Sequence, residues 1–350
     1  MTAQDPKDVI NSLCILRLSA IGDVTHMVPI IHSLQKFSPD TKITWIIGTT
    51  EFKLLGDLPN VEFIQFNKKH GLKAYLDIKK QLKNRHFNTL LACQVSLRAN
   101  ILTAIISADR KIGYDKTRAK DFHSLVINKS IPTAKVHVLD SFFQFLETIG
   151  IANKSLDWRI PIPEQDQIFA QQVIPNDKPV LAISPCSSHS LRNWKTSSYA
   201  AVANYAIKKY DMQIVLLGGP TDIEIAYGDQ ISSQLISPPI NLIGKDTLKK
   251  LLAVLKRCTA LISPDSGPAH MGTCANIPVI GLYAASNSLR SGPYLSSQWC
   301  VDKYADAGEK YFNKLPDQLR WGTKIEKPGV MDLIQPEDVI MKLDQLMTNR

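Results

Sequence analysis

An α/β chain of two doubly wound domains is what the sequence predicts, on three observations. Short apolar runs alternate with longer amphipathic stretches almost from end to end, the rhythm of β-α-β units around parallel sheets. The alternation comes in two series, separated by the proline-bearing stretch Asp157 to Pro163. A length of 350 residues also exceeds the ~250–300 at which one core usually splits into two.

In the first series, strands are expected at Leu13 to Leu18, Ile43 to Ile47, Val61 to Phe66 and Thr89 to Cys93, with a helix over Val24 to Phe37. The amphipathic stretch Val136 to Ile149 closes this half as a helix, stopped by Gly150. Asp157 to Pro163 reads as the linker, because its two prolines remove backbone donors. The second series predicts strands at Val180 to Ile183, Gln213 to Leu217, Ala260 to Ser263 and Val279 to Leu282. Helices are expected between them at Ser198 to Lys209, Ile223 to Gln234, Leu248 to Lys256 and Ala269 to Ala275. Asn287 to Lys327 shows no clear period and reads as irregular. Pro336 to Met347 regains helical spacing, with Pro336 in the first turn and Glu337 and Asp338 near the positive dipole end. The expected domains are 1–160 and 161–335, with the helix of 336–350 packing back onto the first.

Composition narrows the class. No apolar stretch approaches the ~20 residues that span a bilayer. The start, MTAQDPKDVINSL, lacks the basic and apolar regions of a secretion signal. A cytoplasmic protein is expected. Six scattered cysteines without CxxC spacing argue against zinc or a disulfide framework, and no metal-ligand cluster appears. The net charge of +9 points to an anionic partner without choosing among nucleic acid, membrane headgroups and a phosphorylated substrate.

Four strand-to-helix turns carry the candidate chemistry, since doubly wound sheets bind ligands where strands end. In Ser19-Ala20-Ile21-Gly22-Asp23-Val24-Thr25-His26, Gly22 permits a tight turn and Asp23 stands at the helix start, where capping is the commoner role of such a residue. In Ser263-Pro264-Asp265-Ser266-Gly267-Pro268-Ala269-His270, free amides after Gly267 favour a phosphate. Asp265 would repel that phosphate, so it is expected to accept from sugar hydroxyls or to orient the loop; His270 faces phosphates or packs. The loop Ser184 to Lys195 offers the Ser187 and Ser188 hydroxyls and the planar fork of Arg192 to an anion, or is simply a solvated basic loop. Gly218 and Gly219 allow close approach, with Glu224, or Asp222 in another register, either binding ribose hydroxyls or favouring the helix start. Neither GxGxxG nor GxxxxGK[ST] occurs. The pattern suggests group transfer from a phosphorylated donor.

Taken together, SAIGDVTH, the SSHSLRNW loop, LGGPTDIE and SPDSGPAHMGTCANIPVIGLY resemble the bacterial ADP-heptose:lipopolysaccharide heptosyltransferases, glycosyltransferase family 9, over roughly Leu13 to Ala285. The N-terminal turn is more similar to the first-heptose than to the second-heptose enzymes. The resemblance implies a GT-B fold of two Rossmann-like domains facing a central cleft, an acceptor-binding first domain and an ADP-heptose-binding second one. It implies an inverting transfer with no metal or cofactor, Asp23 as general base, and Asp265 and His270 at the donor with Ser266 and Gly267. Arg192 stands where the family commonly has Lys, beside the leaving diphosphate. Glu224 is the implied ribose ligand, with Ser187, Ser188, Gly218 and Gly219 around the nucleotide. The implied acceptor is an anionic glycolipid of Kdo-lipid A type at the inner membrane, where the enzyme would be peripheral; nucleic acid is not an expected partner. Gly22, His26, Arg98, Lys116, Arg118 and Lys120 are the acceptor-site candidates, and Lys68, Lys69, His70 and Lys73 form a further basic cluster. His137 and Asp140 belong to the resembling segment VHVLD but are given no chemistry.

Overall fold

The computed structural model describes residues 10–175 and 178–349. The start that argues against a secretion signal lies mostly outside them. Contacts divide the chain into Met1–Pro161 and Ile162–Arg350, a boundary inside the proline-bearing linker.

The first unit runs β1 (Ser12–Leu16), α1 (Ile21–Thr25), α2 (Met27–Phe37), β2 (Lys42–Gly48), α3 (Thr49–Leu55), β3 (Val61–Phe66), α4 (Leu72–Gln81), β4 (Phe87–Ala92), α5 (Leu97–Ile105), β5 (Ala108–Gly113), α6 (His123–Val126), β6 (Lys129–Ser130) and α7 (Val138–Thr148). Its strands pair in parallel in the order β3-β2-β1-β4-β5-β6. Because β1 is central, Leu13 to Leu16 are all buried, as expected of a strand covered on both faces. Cys14, Leu16, Ile46 and Leu90 meet Ala74 and Ile78 of α4 and Ala99 and Leu102 of α5 in one cluster. Alternation along β1 turns Leu13 and Ile15 the other way. Residues 155–160 are less a free linker than expected. The Ser155 amide donates to Ser33 Oγ at 2.9 Å, and Trp158 and Ile160 are buried.

The second unit runs α8 (Glu164–Val173), β7 (Val180–Ile183), α9 (Thr196–Tyr210), β8 (Gln213–Leu216), α10 (Asp222–Ser232), β9 (Ile240–Asn241), α11 (Leu248–Leu255), β10 (Ala260–Pro264), α12 (Gly267–Cys274), β11 (Val279–Tyr283), α13 (Ser288–Ser291), β12 (Val301–Asp302), α14 (Tyr304–Phe312) and α15 (Pro336–Thr348). The strand order β12-β11-β10-β7-β8-β9 repeats that of the first unit. The expected α/β class, doubly wound twice, is the architecture found.

Two expectations are corrected. Asn287 to Lys327 is not irregular throughout, since it holds α13, β12 and α14; these are too short and too mixed in composition to show a period. The C-terminal helix is part of the second unit. Val339, Leu343 and Leu346 of α15 lie in the core of the second, with Val202 and Ala206 of α9. Its apolar stripe is satisfied there, and Asp344 accepts from the hydroxyls of Tyr205 at 2.8 Å and Tyr210 at 2.7 Å. Among the described residues no helix is long and apolar enough to cross a membrane. All six cysteines are buried free thiols, and burial pushes that of Cys186 up to about 12.

Candidate functional site

Each sheet reverses direction between its first and fourth strands, at β1/β4 and at β7/β10. Such switch points are where doubly wound sheets leave room for ligands. Three of the four turns singled out in the sequence follow β1, β7 and β10, and the fourth follows β8.

At the first switch point β1 runs out through Arg17 and Leu18, and the turn is stitched to the end of β4. The Leu18 amide donates to Gln94 Oε1 at 2.8 Å, and Arg17 Nη1 donates to the Cys93 carbonyl at 2.6 Å. Arg17 Nη2 pairs with Asp23 Oδ2, and its guanidinium lies over the Phe142 ring, 5.4 Å from the centroid. The Ala20 amide reaches the same carboxylate oxygen at 3.4 Å, so Asp23 has a capping contact as well as an ion pair. A third of the Asp23 side chain remains exposed. Gly22 is buried and its carbonyl accepts from Thr25 Oγ1 at 2.6 Å. His26 is buried edge-on to His137, with ring centroids 5.3 Å apart. His137 itself caps α7, accepting from the Leu139 amide at 3.1 Å.

The remaining acceptor candidates divide. Arg98 lies in the first turn of α5, and Lys116 and Lys120 are exposed on the segment after β5. That segment is tied to α5 by the Asn100 side chain, which donates to the carbonyls of Lys120 at 3.1 Å and Asp121 at 2.7 Å. Arg118 is instead spent on structure. It pairs with Asp115, donates to the Pro132 carbonyl at 2.6 Å and lies over Tyr114, 5.0 Å from its centroid. Burial raises the Asp115 carboxyl, but hydrogen bonds from Thr117 and Arg118 outweigh it and hold the group well below the usual carboxylate range.

At the second switch point a charge cluster gathers. Arg192 closes a short 3-10 turn, Ser190–Arg192, in the loop after β7. Its Nε and Nη2 donate to Glu326 Oε1 at 2.8 and 2.5 Å, and its Nη1 lies 3.9 Å from Asp265 Oδ2. Lys324 Nζ donates to that same Asp265 oxygen at 2.5 Å. The Asp265 side chain is only 10% exposed. Burial alone would raise its carboxyl, yet Lys324 reverses the balance and holds it below the ordinary value. Lys324 is drawn down from the usual lysine range, burial outweighing the attraction of Asp265 and Arg192 adding repulsion. Repulsion between Asp265 and a phosphate is thus offset by two neighbouring cations.

Lys324 and Glu326 are functional candidates that sequence reasoning missed. The chain there has no regular secondary structure, and Ile325 between them is fully buried, its amide donating to the Ala285 carbonyl at 2.8 Å just beyond β11. Anchoring the middle residue sets both charged neighbours beside Arg192 and Asp265. No periodic or motif signal marks them. Arg17 did leave a signal, a lone guanidinium at the end of the apolar run CILRL before the GD turn.

The other donor-side candidates sit around this cluster. Ser187 Oγ donates to the His189 carbonyl at 3.0 Å, and Ser188 is exposed. Ser266 caps α12 by position, its hydroxyl 2.8 Å from Ser263 Oγ; Gly267 opens that helix and His270 is buried within it. In the loop after β8 it is Glu224, not Asp222, that turns back over the glycines. It accepts from the Gly219 amide at 2.8 Å and from Thr221 Oγ1 at 2.7 Å, and a Cβ at Gly219 would meet it at 2.9 Å. The Gly244 amide donates to the Gly218 carbonyl at 3.0 Å, which brings Asp246 into this neighbourhood. Asp246 Oδ2 is shut off from solvent and accepts no hydrogen bond among the described residues. Burial pushes that carboxyl up to about 7, Glu224 adding to the rise and Lys250 opposing it.

A family model described as glycosyltransferase family 9 (heptosyltransferase) matches residues 75–315. The lipopolysaccharide core heptosyltransferase OpsX of Haemophilus influenzae is 39% identical over 96% of this chain and 96% of its own. The chain belongs to glycosyltransferase family 9. It is therefore a glycosyltransferase, as the resemblance implied. The family 9 glycosyl transferase structure from Veillonella parvula matches with a TM-score of 0.80 at 22% identity, covering 97% of this chain and 98% of that one. The Escherichia coli heptosyltransferase WaaC with ADP-2-deoxy-2-fluoro heptose matches with a TM-score of 0.61 at 15% identity, covering 82% and 97%. These likenesses establish the GT-B fold class of this family 9 chain.

Proposed function

We propose that the chain transfers heptose from ADP-heptose to the Kdo/heptose inner core of lipopolysaccharide, inverting the anomeric carbon, without a metal or cofactor, at the cytoplasmic face of the inner membrane. The observation that carries this reading is the convergence of Arg192 and Lys324 on Asp265 at the second switch point. Two cations held together in a partly buried setting suit a leaving diphosphate, and they supply the charge a metal would otherwise bring. The OpsX relative is a lipopolysaccharide core enzyme, and the WaaC neighbour carries an ADP-heptose analogue; both support the donor and acceptor assigned here.

In this reading Asp23 takes the proton of the attacking acceptor hydroxyl, and Arg17 fixes the carboxylate's direction. The bond to the anomeric carbon forms as the bond to the diphosphate breaks, and ADP leaves with the electron pair. Arg192, Lys324, the Ser187 and Ser188 loop and the amides after Gly267 receive that charge. Until the donor arrives, Asp265 and Glu326 neutralise the two cations; with the donor bound, Asp265 is released to the sugar hydroxyls. Glu224 meets the ribose from the Gly218 and Gly219 loop.

The test is direct. Purified protein with ADP-heptose and Kdo-containing lipid A should release ADP and add one heptose to the acceptor in the presence of a chelator, while other nucleotide sugars fail. Asp23→Asn should lower kcat by ~10²–10⁴ with donor binding retained. ADP release that stops on chelation, or a better turnover with a different nucleotide sugar, would refute the corresponding part.

A further inference from the structure

Six lysines and one acidic residue lie between positions 68 and 83, a dense share of the chain's positive surplus. Most of that stretch is α4. Ala74 and Ile78 point into the core, whereas Leu72 and Leu76, one turn apart, are 84% and 66% exposed. Helical spacing carries the same stripe on toward Lys79, Lys80 and Lys83. A leucine pair in a lysine field has no structural use in a solvated helix.

The pattern recurs next door. Leu97 and Ile101, again one turn apart, are exposed on α5, and Phe122 and Leu125 are 74% and 80% exposed beside it. Phe122 has φ of 66°, a left-handed conformation that a bulky residue seldom takes. The segment is nonetheless fixed, through the Asn100 bonds to its backbone and a 2.8 Å contact between Asn100 Oδ1 and His123 Nδ1. Arg98, Lys116 and Lys120 border these side chains. α4 and α5 bury their inner faces in one cluster on one side of the sheet, so their outer faces look the same way. Apart from Leu156, every exposed large hydrophobic side chain described in the first unit belongs to α4, α5 or the Phe122 turn. The acidic groups are Asp77, which lies 3.7 Å from His70, and Asp121.

We propose that this face of the first unit docks on a bilayer containing anionic phospholipid, with Leu72, Leu76, Phe122 and Leu125 entering the headgroup boundary and the surrounding lysines meeting lipid phosphates. Protruding apolar side chains with a rim of one sign fit a uniformly negative, soft surface. A folded protein partner would call for interspersed charges. The inference rests on the proposed function in that the glycolipid acceptor is itself in a membrane.

The full chain should co-sediment about tenfold better with vesicles containing anionic phosphatidylglycerol than with neutral phosphatidylcholine vesicles. Leu72→Ser, Leu76→Ser and Leu125→Ser together should reduce that binding about fivefold or more while leaving ADP-heptose affinity unchanged. In a second measurement, Leu76→Trp should give blue-shifted emission on the vesicles, quenched by brominated acyl chains, and Leu156→Trp should not. Sedimentation of the triple variant equal to wild type, or an unshifted Leu76→Trp signal on bound protein, would overturn the proposal. Vesicle binding without heptosyl transfer would defeat the enzymatic reading alone. Transfer to a deacylated acceptor without vesicle binding would defeat the docking face alone.

Discussion

Asp23 and Asp265 were both legible as candidates because each stands in a Gly-bearing turn between strand and helix, where doubly wound sheets bind ligands. What each carboxylate touches was not. Asp23 is oriented by Arg17, whose guanidinium is itself held by the Cys93 carbonyl and the Phe142 ring. Arg17→Met should therefore lower kcat by roughly 10–10²-fold while donor Kd stays within about twofold, as steady-state kinetics and calorimetry would show; Arg17→Lys should recover part of the loss. Asp246 belongs to the same scale. Folded, it keeps its proton to about pH 7, whereas its ordinary value is 3.8. Between those limits the unfolded chain has released a proton that the folded chain still binds, so stability falls as pH rises through this window. Asp246→Asn removes the penalty. Its Tm advantage over wild type should be absent near pH 4, grow toward pH 7 and stay constant above, which thermal melts across pH would establish.

At the level of elements, the segment through Ile325 matters most for the proposed donor site. Sequence periodicity had nothing to find there, because a single buried residue between two charged ones is neither a helix nor a strand pattern. Lys324→Met should weaken ADP binding and lower kcat by about 10²-fold with acceptor KM unchanged, and Lys324→Arg should restore part of the binding. Glu326→Gln should act in the opposite direction on affinity, freeing Arg192 and tightening ADP; titration calorimetry of the two variants separates a role at the diphosphate from simple loss of structure. α15 teaches the complementary lesson. Its apolar spacing announced a buried helix, but the choice of partner lay in α9, and Leu343→Ala should cost about 2–5 kcal/mol of unfolding free energy in the second unit, readable by denaturant titration.

For the molecule as a whole, the proposed readings give the basic residues two uses, a diphosphate cluster in which Asp265 and Glu326 balance Arg192 and Lys324, and a broad basic face on the first unit. The first is partly buried and the second is exposed, so salt should separate them. Raising ionic strength from about 0.05 to 0.5 M shortens the Debye length from above 10 Å to below 5 Å. The KM for an anionic glycolipid should rise severalfold over that range, with a smaller change for ADP-heptose, as initial rates would report. By itself the sequence determined the doubly wound architecture and the turns that end its strands, because hydrophobic periodicity and glycine placement are local properties written into neighbouring residues. Only the tertiary structure decided that Arg17 serves Asp23, that Lys324 and Glu326 join Arg192 and Asp265, that Arg118 is consumed by Asp115, and that the exposed leucines share one side of a sheet. Arg118 and Asp115, or Arg17 and Asp23, are close along the chain, but spacing alone does not say which charges meet; Lys324 and Glu326 reach Asp265 and Arg192 from far along the chain, and there the fold, not spacing, brings them together.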